Sequence, residues 1–222
     1  MMKALKNLVF PQECLMCQVP DVRWCVSCQE IFLSQNPALI APKDEDAILP
    51  FPLAFFTFYS HGFDVLIRKY KTENHRHVAP FIALALAKAL LLLLNTMDAH
   101  ERIYLVPVPS SRHSRKNRGY DHVLIVVQQL VTQLQNPRIS CSTLLKQGKK
   151  LDQAGMNLKS RQRNISKTMW ISRKKASMLD KKALYIVVDD ICTTGATLAE
   201  AARALSQAGA YTIAALTFAL VP

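Results

Sequence analysis

Leu184-Tyr-Ile-Val-Val-Asp-Asp-Ile-Cys-Thr-Thr-Gly-Ala-Thr-Leu198 decides the fold. Its first five residues are apolar and rich in β-formers, the composition of a strand buried on both faces. Two carboxylates end the apolar run. A short turn rich in Thr and Gly follows, and a helical pattern then runs over 196–207 and stops at Gly209. Gly195 lacks a Cβ, so backbone amides can close on an anion there. A helix start adds unpaired N–H groups and the positive end of the dipole. Thr193, Thr194 and Thr197 add hydroxyl donors, and together these make a cradle for a monophosphate. Asp189 and Asp190 would repel a bare phosphate, so they call for polyol hydroxyls, a metal or a developing cation. A ribose carrying a 5-phosphate meets these demands. No GxxxxGK[ST] is present, which excludes a Walker loop. A plain strand-to-helix turn capped by Asp190 accounts for one acid and the glycine, but not for the second acid and three threonines.

Outward from this stretch, strands alternate with helices, which predicts an α/β fold with a mostly parallel sheet covered on both faces. Residues 54–59, 102–108 and 211–221 read as strands, and 169–171 as a short one. Residues 62–71 place Phe63, Leu66, Ile67 and Tyr70 at helical spacing. Residues 121–134 repeat Val123, Val127, Leu130, Val131 and Leu134 at three and four. The helix over 79–96 is the most apolar. Its core, 81–94 with Lys88 inside, is too short to span a bilayer, so a buried helix and no membrane insertion are predicted. The proline- and acid-rich stretch 37–52 reads as a linker, and the polar, basic stretch 147–167 as a mobile excursion.

Size and charge narrow the function classes. The 222 residues are 50% hydrophobic and 20% charged, which excludes wholesale disorder. No secretory-type apolar run precedes Cys14, so a cytoplasmic location is expected. The net charge is +12, and residues 101–182 hold 18 basic against 4 acidic residues while the remainder is nearly balanced. A scattered excess would read as a solubilising surface. This clustering favours an anionic partner such as nucleic acid or a phosphorylated sugar.

Four of the six cysteines stand at the front, as Cys14-Leu-Met-Cys17 and Cys25-Val-Ser-Cys28. Two CxxC pairs so close together predict a closed, tetrahedral, structural zinc site with four thiolates. Reduced core thiols or a redox pair are the alternatives, and a redox CxxC would need a helix start in a βαβ setting. Cys141 and Cys192 read as small apolar residues, and His75 and His77 as surface.

The segment VVDDICTTGATL, residues 187–198, resembles the phosphoribosyl-pyrophosphate (PRPP) signature of the type I phosphoribosyltransferases. Three further features resemble the ComF family of late-competence proteins: the cysteine pairs, the run Val106-Pro-Val-Pro109 with Arg112 and Arg115-Lys-Asn-Arg-Gly-Tyr120, and Gln153-Ala-Gly-Met with Arg161-Gln-Arg-Asn164. The resemblance implies a type I phosphoribosyltransferase fold over 51–222 behind a small zinc-binding module and linker over 1–50. It implies that Asp189 and Asp190 hold the ribose hydroxyls of PRPP. Thr193, Thr194, Gly195, Ala196 and Thr197 would hold its 5-phosphate, and Ser110, Ser111 and Arg112 would form a pyrophosphate loop. Arg115, Arg118, Arg161 and Arg163 would close over the pyrophosphate, with magnesium bridging it to the ribose. Two functions follow from it. One is a PRPP-binding role in DNA uptake in natural transformation or use of external DNA, with single-stranded DNA and competence-machinery proteins as partners. The other is transfer of 5-phosphoribosyl to an unknown acceptor, as in nucleobase salvage. Asp121-His122 stands where the family usually has Asn-Gln, Lys150-Leu-Asp where Thr-Pro-Pro is common, and Met156 where leucine is usual. The first two departures bear on the local substrate pocket and leave the phosphate cradle intact.

Overall fold

The computed structural model describes residues 13–45, 47–60, 62–72, 75–111, 119–148 and 168–222. Its main sheet has the order β1-β2-β8-β7-β3-β4. The strands are β1 (Ala38–Ile40), β2 (Leu53–Phe58), β3 (Ile103–Pro107), β4 (Ile139–Cys141), β7 (Leu184–Cys192) and β8 (Thr212–Leu220). Only β1 runs antiparallel to its neighbour, and every other pairing is parallel. The helices are α1 (Val26–Ser34), α2 (Phe63–Thr72), α3 (Ala79–Asn95), α4 (His122–Leu134), α5 (Arg173–Ala176) and α6 (Ala196–Gln207). The α/β class read from the sequence is the class observed.

Alternation along β7 sorts its side chains between two cores. Leu184, Ile186 and Val188 join the core beneath α2, α3 and α4, whereas Tyr185 and Val187 join the core beneath α6. That is why the strand is apolar throughout rather than alternating with polar residues. The helix α3 buries Ile82, Leu86, Leu90 and Leu93 in one stripe, and each such side chain contributes about 1.5–3 kcal/mol. With the 3-10 turn before it, the helical stretch Arg76–Asn95 is 20 residues, long and apolar enough to cross a bilayer by length and composition. The fourteen-residue reading therefore understated it, and its burial against the sheet is what accounts for its composition. Lys88, the one charged residue of α3, donates to the carbonyls of Leu33 (2.8 Å) and Gln35 (3.1 Å). It thereby ties α3 to the N-terminal segment.

That segment shares the main core. Cys14, Leu15 and Phe32 are buried with Phe56, Phe63 and Leu86. Phe32 lies 5.0 Å from Phe56 and Trp24 lies 4.2 Å from Phe81, ring centre to ring centre. The stretch read as a linker, 37–52, is more than that. Ala38–Ile40 adds an edge strand to β2, and Leu49 is buried against the α6 side. Its prolines sit outside the three residues that pair, as strand edges require.

A separate antiparallel ribbon joins β5 (Leu145–Gln147) to β6 (Met169–Ile171). Gln147, read as the start of the excursion, is a buried strand residue, while 149–167 lie outside the described residues. Gly148 N–H donates to Thr168 O at 2.9 Å, so the chain departs and returns at one hydrogen-bonded point. Glu200 of α6 anchors this ribbon. Its buried carboxylate accepts the Met169 N–H at 2.9 Å and, along one edge of the Arg203 guanidinium, the Nε–H at 2.6 Å and an Nη2–H at 2.8 Å.

Candidate functional site

From β3 the chain passes through α4 to β4 on one side, and from β7 through α6 to β8 on the other. The strand order therefore reverses between β3 and β7. In open α/β sheets, the crevice beyond the carboxyl ends of such strands is where ligands bind. Ser110 follows β3 into this crevice, and Asp189 and Asp190 stand in β7 beside it.

The strand does not stop at the twin acids: β7 continues to Cys192, held by parallel pairing of Ile191 with Ala219 and Cys192 with Leu220. The turn proper is Thr193–Gly195, and Gly195 caps α6 with φ +69°. A Cβ on Gly195 would meet Leu49 Cδ2 at 3.1 Å and the Ile48 carbonyl at 3.3 Å. Gly195→Ala is expected to lose about 1–2 kcal/mol from the left-handed backbone alone. The shift in denaturation midpoint checks it. An unshifted midpoint would mean that the turn relaxes freely.

Thr193 and Thr194 are exposed, Thr197 and Ala196 half-buried. The N-cap of α6 is Gly195, which offers no side chain to cap the helix. The Cys192 thiol lies beneath, pushed up to about 11 chiefly by burial, while the Gly195 N–H donates to its sulfur. Cys192 is a buried apolar residue, as expected.

Across the crevice a polar network holds Asp190. Asp121 caps α4 by accepting from Leu124 N–H, and it also accepts the Ser110 N–H at 3.0 Å and the Ser110 hydroxyl at 3.2 Å. Ser110 Oγ is 2.9 Å from His122 Nδ1. The other ring nitrogen, Nε2, meets Asp190 Oδ2 in a short hydrogen bond. An ionised carboxylate only accepts, so Nε2 carries a proton and donates it to Asp190. The Lys71 ammonium lies 2.8 Å from the same oxygen. Burial works to raise the Asp190 carboxyl, but the His122 hydrogen bond and the Lys71 charge outweigh it and hold it at about 2.

The elements that deliver these groups are locked together. Tyr70 OH donates to the His122 carbonyl (2.7 Å) and Tyr120 OH to the Tyr70 carbonyl (2.9 Å), with Arg76 stacked 4.3 Å over Tyr120. Lys71 carried no signal in the sequence beyond a basic residue on an amphipathic helix. His122 was visible as a departure from the resembled pattern. A cavity of about 10 Å³ adjoins the carboxylates, lined by Tyr70, Ile82, Leu86, Val123 and Phe218. That is room for one water molecule. Ser111 is half-buried beside Ser110. Arg112, Arg115, Arg118, Arg161 and Arg163 lie outside the described residues, as do 150–156.

The four N-terminal cysteines converge. Their sulfurs all lie within 4.8 Å of one another, with Cys14–Cys25 at 3.7 Å and Cys17–Cys25 at 3.6 Å. A zinc ion with Zn–S bonds of about 2.3 Å places tetrahedral sulfurs about 3.8 Å apart, so the set fits. Left-handed turns at Gln18 and Asp21 shape the first knuckle, and Cys14 N–H donates to Val19 O at 2.9 Å. Burial raises the Cys14 thiol, yet backbone amides of Cys25, Met16 and Cys17 bring it down to about 6. Burial and its three neighbours push Cys28 far up. A dication bound between the four sulfurs would offset thiolate charge there. These four cysteines can hold a zinc ion.

Fold and site together define a mixed α/β protein with a crevice lined by carboxylates at its strand switch point and a four-cysteine centre beside the core. No family model matches the chain. The chain is similar to Competence protein F of Haemophilus influenzae, 26% identical over 152 residues, or 68% of this chain and 65% of the relative. It thus spans just under two thirds of that relative's length, and the match supports a distant relationship to the ComF family.

Proposed function

We propose that this chain is a ComF-type protein that binds PRPP in the β3–β7 crevice and serves DNA uptake or the use of external DNA. The observation that carries the proposal is the placement of adjacent carboxylates next to a glycine-capped helix start, across the glycine turn, at the switch point. The 5-phosphate lies against the Thr193–Gly195 turn and the first residues of α6, Ala196 and Thr197, and the sugar hydroxyls lie toward the acids. Hard carboxylate oxygens suit magnesium, which when bound would neutralise the pyrophosphate charge. The relative's name supports a competence-related role. The basic stretch 101–182 supports single-stranded DNA as the second ligand, with competence-machinery proteins as further partners. The zinc centre is structural, and a cytoplasmic setting keeps its thiols reduced.

Transfer of 5-phosphoribosyl to an acceptor is the second reading, since carboxylates beside the sugar suit a cation-like ribosyl centre. Calorimetric titration with PRPP and magnesium tests the primary reading: saturable binding is expected, and silence overturns it. Titration with single-stranded DNA across a salt series tests the rest. Affinity should fall with a log–log slope of about −0.7 per phosphate contact, and a flat dependence would remove DNA from the proposal.

A further inference from the structure

The basic stretch 101–182 holds three aromatic residues, Tyr104, Tyr120 and Trp170. Two of them are engaged within the fold. Tyr104 is half-buried and stacks on Tyr185 at 5.3 Å, and Tyr120 is buried beneath Arg76. Trp170 is open, with 45% of its surface exposed. It stands at the middle of β6, directly across the ribbon from Lys146, which is exposed as well. Side chains paired in this way share one face of the ribbon. The other face is closed, with Leu145, Gln147 and Met169 all buried. The indole is also fixed in place. A Cβ on Gly148 would come within 3.3 Å of its Cζ3 and 3.7 Å of its Cη2, so the benzo edge rests on the bare backbone of that glycine. Beneath the ring, the ribbon is held to α6 at both polar groups of Met169, whose N–H donates to Glu200 and whose carbonyl accepts from Arg203 at 2.8 Å.

Positive charge continues from the ribbon into α5, where Arg173 and Lys174 are exposed. Lys175 donates to the Thr143 carbonyl and so ties α5 to the chain that enters β5. The described residues 138–148 and 168–179 carry five basic side chains and no acid. None of Lys146, Arg173 and Lys174 pairs with an acid among the described residues.

We infer that the outer face of the β5–β6 ribbon is where a single strand of DNA lies, with a base stacked on Trp170 and phosphates on Lys146, Arg173 and Lys174. This rests on the DNA half of the proposed function and gives it a place on the molecule. Single strands are held by this combination, because every base has a π-face for an aromatic ring and cations track the backbone. A duplex keeps its bases in the stack and offers none to a lone indole. A membrane surface is met by basic charge together with a broad apolar face, whereas this ribbon turns Leu145 and Met169 inward.

The test titrates the full chain with a dye-labelled oligothymidine and reads both dye anisotropy and tryptophan emission. Wild-type emission should fall on binding, because a stacked base quenches indole. W170F should abolish that fall yet bind within about threefold of the wild type, since phenylalanine also stacks. W170A should lose about tenfold in affinity and keep the salt slope. K146A should lower the log–log salt slope by about 0.7, and R173A/K174A by about 1.4, as phosphate contacts are removed. Melting midpoints should hold for these exposed positions, and W170F keeps a ring on the ribbon should W170A loosen it. Wild-type binding with unchanged emission and no sensitivity to W170A overturns this surface and leaves DNA to be held elsewhere. Sedimentation with phosphatidylglycerol vesicles that W170A abolishes, with oligothymidine binding untouched, overturns it in favour of a membrane. A wild-type chain that ignores oligothymidine overturns the surface and the DNA reading together.

Discussion

Cys14→Ser is expected to release the metal and to destabilise far more of the chain than the knuckle that carries it. Binding at a structural zinc site is folding free energy, about 10–16 kcal/mol in small zinc peptides. With zinc bound here, a share of that would reach the main core. Cys14, Leu15 and Met16 are all buried and pack with the α2 and α3 residues. Lys69, itself buried, donates to the Cys14 carbonyl at 3.4 Å and pairs with Glu13 at 3.6 Å. Loosening the knuckle therefore frees the partner of a buried ammonium on the helix that delivers Lys71 to the crevice. The expected result is one zinc per wild-type chain by elemental analysis, none in the variant, and a thermal midpoint lowered by at least ten degrees, an effect of several kcal/mol at this chain length. Native protein purified without zinc would count against the site. A chelator that leaves the melting curve unmoved would count against its structural weight.

Much of this architecture was legible because its signals are local. The β-branched run of β7, the three-and-four spacing in α4 and the apolar stripe of α3 each encode an element on their own. What escaped the sequence has tertiary causes. The strands β1, β4 and β5 are three residues each, too short for a period to register, and exist because a neighbour offers a free edge. The α1 helix has apolar residues on more than one side, so its pattern was masked by the cysteine spacing. The extension of β7 through Asp189 and Asp190 was unreadable because acids are poor strand formers. Pairing with β8 holds them in the strand. Lys71 and His122 reach Asp190 from elements 119 and 68 residues away along the chain, and the latter contact is a tertiary fact that spacing could not foretell.

Asp189→Asn with Asp190→Asn is expected to abolish PRPP binding while the fold survives. Asn matches Asp in shape, so the β7–β8 ladder and the two cores keep their packing. The loss is electrostatic. Sugar hydroxyls donate to a carboxylate about twice as strongly as to a neutral acceptor, and losing such bonds costs roughly 100-fold in affinity. The same change strands Lys71 and His122 without their anion. Truncating a buried pair costs several kcal/mol, but Lys71 is 31% exposed, so water screens it and the penalty shrinks. An amide oxygen in place of Asp190 Oδ2 can still accept from His122. The double variant should therefore elute as the wild type does and keep its circular dichroism, with a modestly lower midpoint, and should show no heat on titration with PRPP and magnesium. Unchanged affinity would place the sugar elsewhere on the molecule. A collapsed far-ultraviolet spectrum would instead identify the acids as structural, because then the Asp190 ion pair would hold α2 and α4 to the sheet more strongly than its exposed lysine allows.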